Sequence, residues 1–438
     1  MRFYNRENEL ALLNETRLMS EDAARMTFIV GRRRIGKTSL VLKAFEEHHY
    51  IYLFVARKSE TLLCKEFTGE IEYRLKKRIL GEYNSFSTLF EYLLIEAQTL
   101  PFTLIIDEFQ EFFHINASVF SDMQRLWDQY KSTSKINLVL SGSVFSLMKK
   151  IFENSKEPLF GRANERIHLK PFNAEVTGQI FSEMYPAGKA GDLLAFYTLS
   201  GGVAKYVELF ADKNCFTLNR MLGEIFRENS LLIEEGKNLL IEEFGRDYTT
   251  YFSILSLIAS SKTSRSEIES ILGKNIGGYL DRLENEYQII QSIRPIYAKA
   301  GSRSQKYFIE DNFLSFWFRF VYKYRSAVEI GNFNHIRQIV ERDFETYSGI
   351  FLEKYFREKL AATGHYSLIG RYWERGNQNE IDIVAVNELT QSVLIGDVKR
   401  NKNKINLDIL KIKSQQLTTR FTGYNIEYKG FSLDDLLR

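Results

Sequence analysis

Gly31-Arg32-Arg33-Arg34-Ile35-Gly36-Lys37-Thr38 constrains this chain more than any other stretch of its 438 residues. It matches Gly-x-x-x-x-Gly-Lys-Thr in full. It lies between an apolar run, residues 26–30, and a helical pattern carrying Leu40, Val41 and Ala44. Glycines let backbone wrap an anion, and amides at a helix N-terminus point at it. In such a loop Lys37 reaches the β- and γ-phosphates of a nucleotide, and Thr38 ligates Mg²⁺. The loop from Gly31 through Arg32, Arg33, Arg34, Ile35 and Gly36 to Ser39 then cradles the phosphates with its backbone. The three arginine side chains are expected to point into solvent. A plain strand-to-helix turn is the alternative, and the flanking strand and helix weigh against it.

Further apolar runs at 50–56, 102–106 and 136–140 alternate with helical patterns. That alternation predicts an α/β protein with a parallel sheet covered on both faces. Asn5 is expected to cap a first helix, with Glu7 and Glu9 in its first turn. The length corresponds to about three domains. With 59 Lys and Arg against 56 Asp and Glu, the net charge of +3 implies no polyanion partner for the whole molecule. Cys64 and Cys215 lie far apart and form no disulfide framework, which fits a reducing cytoplasm. The N-terminus is polar and shows no secretory signal. No apolar run is long enough to span a bilayer; the richest, 313–324, is broken by Arg319.

Leu104-Ile105-Ile106-Asp107-Glu108 complements the loop. Acids at the carboxyl end of a buried strand are poorly placed for the core but well placed for a ligand above the sheet. Asp107 is expected to hold Mg²⁺ through water, and Glu108 to orient or deprotonate the attacking water. No Asn-Lys-x-Asp motif for guanine is present, so ATP is favoured over GTP. Ser141-Gly142-Ser143 ends the fourth strand. Ser143 either senses the γ-phosphate or belongs to an ordinary strand-end turn.

These residues carry a resemblance. Phe3-Tyr4-Asn5-Arg6-Glu7-x-Glu9-Leu10, the phosphate loop, Ile-Asp-Glu-Phe at 106–109, Pro158-Leu-Phe-Gly-Arg162 and Phe313-Leu-x-Phe-Trp-Phe-Arg-Phe resemble the archaeal-type ATPases of the STAND branch of P-loop NTPases. The resemblance covers the whole chain and implies a nucleotide-dependent switch. By it Arg162 touches the γ-phosphate; the alternative is a surface salt bridge. The family's lid motif Gly-Gly-x-Pro is Gly201-Gly202-Val203-Ala204 in this chain. The order of motifs gives a P-loop ATPase core at 1–172, a helical lid at 173–245, a winged helix at 246–325 and a small α/β domain at 326–438.

In the winged-helix segment, three helical patterns precede two β-like runs around 289–293 and 305–309. Its candidate recognition helix, 276–288, has one base, Arg282, against Asp281, Glu284 and Glu286. That balance favours a protein partner over DNA, although the wing holds Arg294, Lys299, Arg303 and Lys306. The aromatic cluster at 313–320 is expected to be core. In the last domain Asp382, Asp397 and Lys399 lie in apolar strand contexts. A meander makes the two aspartates neighbours, and alternation puts Asp397 and Lys399 on one face. Mg²⁺ would relieve the repulsion between the carboxylates, and Glu353 on the preceding helix completes the set. The arrangement resembles the PD-(D/E)XK, restriction-endonuclease-like nucleases. By that resemblance Glu353, Asp382 and Asp397 are metal ligands and Lys399 is catalytic. An inactive relic of the fold is the equal alternative. Residues 399–420 hold seven bases against one acid, whereas 326–398 hold seven against eleven. This basic strip fits an approaching nucleic acid or an ordinary helix face. The expected function is an ATP-binding switch controlling a nuclease-like domain; the alternative is a non-nucleolytic adaptor. Oligomeric state stays open, and with it whether Arg162 acts within its own chain.

Overall fold

Strand residues of the N-terminal half alternate between two separate apolar clusters. Phe28, Leu104, Ile106, Leu138 and Leu140 pack on one face. Ile29, Ile105, Val139 and Ile167 pack on the other. A sheet with both faces covered has this pattern. The computed structural model describes residues 2–244, 248–299 and 304–437. They fall into two compact units, Asn5–Lys170 and Met1–Tyr4 with Pro171–Arg438.

The first unit carries β1 (Arg25–Val30), β2 (Tyr50–Phe54), β3 (Phe102–Asp107), β4 (Ile136–Gly142) and β5 (Glu165–His168). They form one sheet in the order β2-β3-β4-β1-β5. Every pairing is parallel. The register sets Val30 beside both Gly142 and His168, and Phe54 beside Asp107. Thus the strand ends carrying the sequence motifs share one edge. The short strand β5, Glu-Arg-Ile-His, has no apolar run, so the run pattern does not predict it. Asn5 does not cap the first helix, Glu7–Met19. Its N-cap is Arg6 in a left-handed conformation, φ 86°. The reason is a tertiary bond: buried Arg6 donates to the Lys170 carbonyl at 2.6 Å.

In the second unit, helices from Ala174–Met184 to Gly349–Ala362 surround one large apolar cluster. Phe313, Phe316, Trp317, Phe318 and Phe320 all lie buried in it. Trp317 donates its indole N–H to the Ile233 carbonyl at 2.6 Å. The turn at the expected lid motif uses Gly201 and Gly202 at φ 58° and 68°, and a side chain on Gly202 would collide with the Phe172 carbonyl. Ala204, where the resembled family has proline, opens the helix Ala204–Asp212.

Helices Tyr248–Ala259, Arg265–Leu272 and Gly277–Asp281 precede the antiparallel hairpin β6 (Ile290–Ile293) and β7 (Lys306–Ile309). The third helix continues as a π-helical turn, Arg282–Glu286. Arg303 of the expected wing lies outside the described residues. The chain ends with the helix Gly349–Ala362, then β8 (Leu368–Tyr372), β9 (Ile381–Asn387), β10 (Ser392–Lys399), the helix Leu407–Thr418 and β11 (Asn425–Ser432). Strand order is β11-β10-β9-β8. The first three strands form an antiparallel meander, and β11 joins β10 in parallel. Among the described residues no helix is long and apolar enough to cross a membrane.

Candidate functional site

The phosphate loop turns on two left-handed residues, Arg34 (φ 68°) and Gly36 (φ 97°). Gly36 is the N-cap of the helix Lys37–Phe45, so the free N–H groups of that helix face the loop. Gly31 has its own constraint: a Cβ there would lie 2.7 Å from the Leu169 carbonyl oxygen. Ile35 anchors the loop in the apolar layer. Lys37 is only 5% exposed. Its Nζ donates to the carbonyls of Gly31 at 2.8 Å and Arg32 at 3.1 Å. Burial pushes this ammonium down to about 8, against the opposing pull of Glu108 and Asp107. Arg34 is exposed, while Arg32 and Arg33 are only half-buried rather than free in solvent. Thr38 and Ser39 are exposed at the helix start.

Asp107 ends β3 almost fully buried and accepts four hydrogen bonds. Its Oδ2 takes the Thr38 hydroxyl at 2.8 Å and the Tyr52 phenol at 2.7 Å. Its Oδ1 takes the Ser141 hydroxyl at 2.5 Å and the Glu108 N–H at 3.0 Å. Glu108 stands in the left-handed region at φ 54°. Its Oε2 accepts from Ser143 at 2.6 Å and from Gln110 at 2.5 Å. A Cβ at Gly142 would meet the Gln110 and Met148 side chains, which would have to shift. Thr38, both acids and both serines are therefore linked by hydrogen bonds at one end of the sheet. Arg162 is engaged elsewhere. Its guanidinium donates to Asp128 at 2.7 Å and to the Pro158 carbonyl at 2.7 Å.

The terminal unit holds a second charged centre. Lys399 Nζ lies 2.7 Å from Asp397 and 3.5 Å from Asp382. Asp382 also accepts the Val398 N–H at 2.9 Å. Burial works against the Lys399 charge, yet Asp397 and Asp382 outweigh it and hold the ammonium above its ordinary value. Glu353 faces guanidiniums, with Arg371 at 3.0 Å and Arg357 at 3.5 Å. Burial pushes its carboxyl up to about 7, against the pull of Arg371. Arg371 reaches Glu380 as well, at 3.0 Å. Among the described residues no group of three or more His, Cys, Asp or Glu is arranged to hold a metal ion. Asp382 and Asp397 converge; Glu353 does not join them as a third free carboxylate.

The β6–β7 hairpin packs beside the Arg371–Glu380 pair of this centre. Lys306 binds Glu380 at 3.1 Å and lies over the Trp373 ring. Phe308 lies under the Arg371 guanidinium, 5.6 Å to the centroid. The Ile296 N–H donates to the Arg371 carbonyl at 2.7 Å. The Ile296 side chain sits in the apolar cluster of Tyr372, Ile381 and Val384. Arg294 is occupied by Gln305 at 3.2 Å. Two basic residues of the expected wing thus have partners within the unit, while Lys299 is exposed.

Comparison with known proteins fits this geometry. The chain is 31% identical over 410 residues to an uncharacterized protein of Methanocaldococcus jannaschii, covering 91% of this chain and 87% of the relative. Residues 3–210 match the model of an ATPase domain found predominantly in Archaea. The chain belongs to the archaeal-type P-loop ATPase family. Residues 317–413 of this ATPase match a model of archaeal and bacterial proteins of unknown function. Its fold is similar to the Walker-type ATPase of Pyrococcus abyssi, with a TM-score of 0.55 and 19% identity, covering 72% of this chain and 96% of that one. The ORC2 protein of Aeropyrum pernix superposes with a TM-score of 0.46 at 13% identity, over 78% of this chain and 96% of that one.

Sequence reasoning missed three groups at the ATPase's nucleotide edge. Tyr52 reaches Asp107 from the neighbouring strand. Gln110 lies two residues beyond the acid pair; its Oε1 is buried without a partner. His168 pairs in register with Val30, and burial pushes its imidazole down to about 4. The aromatic at 52 was visible only as a strand residue, since nothing local gives the β2–β3 register.

Proposed function

We propose that this ATPase is an Mg²⁺-dependent, ATP-hydrolysing switch whose output is its nuclease-like terminal domain. The observation that carries the nucleotide half is Lys37. A buried ammonium whose hydrogen bonds go to loop carbonyls retains attraction for an anion, and it stands beside the free amides of a helix start. Thr38 and Asp107 supply the oxygen donors that suit Mg²⁺. The metal, when bound, neutralises phosphate charge. Glu108 orients the attacking water, after release from Ser143 and Gln110. Arg162 joins only if nucleotide draws it from Asp128.

The terminal half rests on the helix–meander–helix–strand order, with Asp382, Asp397 and Lys399 drawn together, which resembles the PD-(D/E)XK core. Two carboxylates already bridged by lysine, with Glu353 held by arginines, do not make a metal set as they stand. No catalytic step is therefore assigned to a metal at this centre. That same compensation favours a second reading, a non-nucleolytic adaptor switched by ATP. The docked hairpin argues against a wing that reads DNA, and the acidic helix 276–288 suits a protein partner better. A cytoplasmic setting belongs to this proposal.

The test incubates the full chain with single- and double-stranded DNA and RNA, with Mg²⁺ or Mn²⁺, with and without ATP. Cleavage that requires Asp397 supports the nuclease output. Cleavage surviving Asp397→Ala removes that assignment, and no cleavage in any arm selects the adaptor. For the nucleotide half, Glu108→Gln is expected to bind ATP normally and to lose turnover by at least about 100-fold. A wild-type protein without calorimetric ATP affinity in Mg²⁺ overturns it.

A further inference from the structure

Tyr52 lies outside every motif that marks the nucleotide site, yet its phenol lies within 2.7 Å of the acid at the centre of it. It belongs to β2, an edge strand next to β3, and reaches across to the end of β3. An ionised carboxylate offers about four acceptor positions. Asp107 fills them with Thr38, Tyr52, Ser141 and the Glu108 N–H. Three of the donors come from the P-loop helix, from β4 and from the residue that follows β3. Tyr52 is the only one from the edge strand among these four.

The shared oxygen gives Tyr52 its importance. Thr38 and Tyr52 both donate to Oδ2. A hydroxyl has one proton and two lone pairs. When the Thr38 proton points at Asp107, its lone pairs turn away from that carboxylate. The direction of the Thr38 lone pairs thus depends on where Oδ2 is fixed. Ser141 and the Glu108 N–H hold Oδ1, but without Tyr52 the Oδ2 side rests on the Thr38 hydroxyl alone; a phenol anchored in a strand gives that oxygen a second, fixed donor. We propose that Tyr52 is a positioning residue for the metal side of the nucleotide site: it pins Asp107 so that Thr38 presents its oxygen to Mg²⁺. The role deepens the assignment of Thr38 and Asp107 as the Mg²⁺ side of the ATPase, and rests on it.

Tyr52→Phe removes the donor and keeps the ring. The expected result is a five- to tenfold loss of Mg²⁺ affinity in the ATP-bound protein, measured by calorimetric titration of Mg²⁺ or Mn²⁺ into protein saturated with ATP. ATP affinity in EDTA stays within twofold of wild type. In turnover assays the Mg²⁺ concentration for half-maximal rate rises by the same factor, and excess Mg²⁺ restores kcat. Asp107→Asn runs alongside. If Tyr52→Phe leaves Mg²⁺ affinity unchanged while Asp107→Asn weakens it, the role of Tyr52 is overturned alone. If neither variant changes it, the assignment of Asp107 falls and takes the proposal with it. An equal loss of ATP affinity with and without Mg²⁺ also overturns the proposal, because it reports general loosening. Should Tyr52→Phe melt more than about 10 °C below wild type, Tyr52→His, which keeps a ring donor in the strand, has to recover Mg²⁺ affinity for the proposal to stand.

Discussion

Lys37 and Lys399 are the same side chain in opposite electrostatic settings. Lys37 is buried against two carbonyl oxygens, and its ammonium is pushed down to about 8. Lys399 sits between two carboxylates, and its ammonium is held above the ordinary value. The first lysine is expensive to keep charged until an anion arrives. The second is already neutralised by its own chain. One centre is built to be completed by a ligand; the other is complete in its present state. The difference explains why the nucleotide half of the molecule reads plainly as a binding site, whereas the terminal half reads as a compensated network.

The largest expected effect tests the first setting. Lys37→Met is predicted to weaken ATP binding by at least about 100-fold, close to 3 kcal/mol. It should leave the nucleotide-free protein no less stable, because it removes a buried charge with a desolvation cost. A clear fall in the urea midpoint without nucleotide would break the comparison. Arg371→Met tests the second setting. Its side chain is 8% exposed and bridges Glu353 and Glu380. Removing one partner of such a network costs about 3 kcal/mol. The urea midpoint should fall accordingly, with ATP affinity unchanged.

A third, smaller effect is pH-dependent. The folded value of Lys37, about 8, lies below its ordinary 10.5. Between those limits the unfolded chain binds more protons, so stability of the nucleotide-free protein rises with pH in that window. ATP favours the charged form, so binding above pH 8 takes up protons and weakens by about tenfold per pH unit at most. Calorimetry in buffers of different ionisation enthalpy reads the uptake; a pH-independent affinity between 7 and 9.5 contradicts it. The smallest effect calibrates the others away from both centres. Ala204 opens its helix, where an N–H has no intrahelical acceptor. Ala204→Pro should therefore stabilise by about 0.4–1 kcal/mol in the same urea melts.

What was legible in the sequence was local. The loop from Gly31 to Thr38 is contiguous, so its chemistry is spelled out in order. Asp107 and Glu108 were legible because an acid at a strand end has few other uses. Alternation alone placed Asp397 and Lys399 together. Tyr52 was not legible, since its role depends on register across two strands. Arg371 was hidden for a different reason. It lies where the β8–β9 register shifts, between Gly370 and Tyr372, and a bulge re-aims a side chain in a way period-two reasoning does not follow. The basic count of the hairpin misled because counting charges ignores partners: Lys306 serves Glu380. Asn5 lost its expected cap role to Arg6, which a distant carbonyl holds in a left-handed turn.

The docked hairpin also bears on how the chain becomes folded. Ile296 fills a core made by residues more than seventy positions later. The Arg371 carbonyl then satisfies the Ile296 N–H. A ribosome that has released residue 325 has made the hairpin but not the surface that receives it. Until β8 and β9 emerge, Ile296 and Phe308 remain without their partners. The contacts of Ile296 and Phe308 thus form only with the C-terminal strands. A shortened chain ending before residue 368 should present its hairpin to proteases, however well the preceding helices have formed.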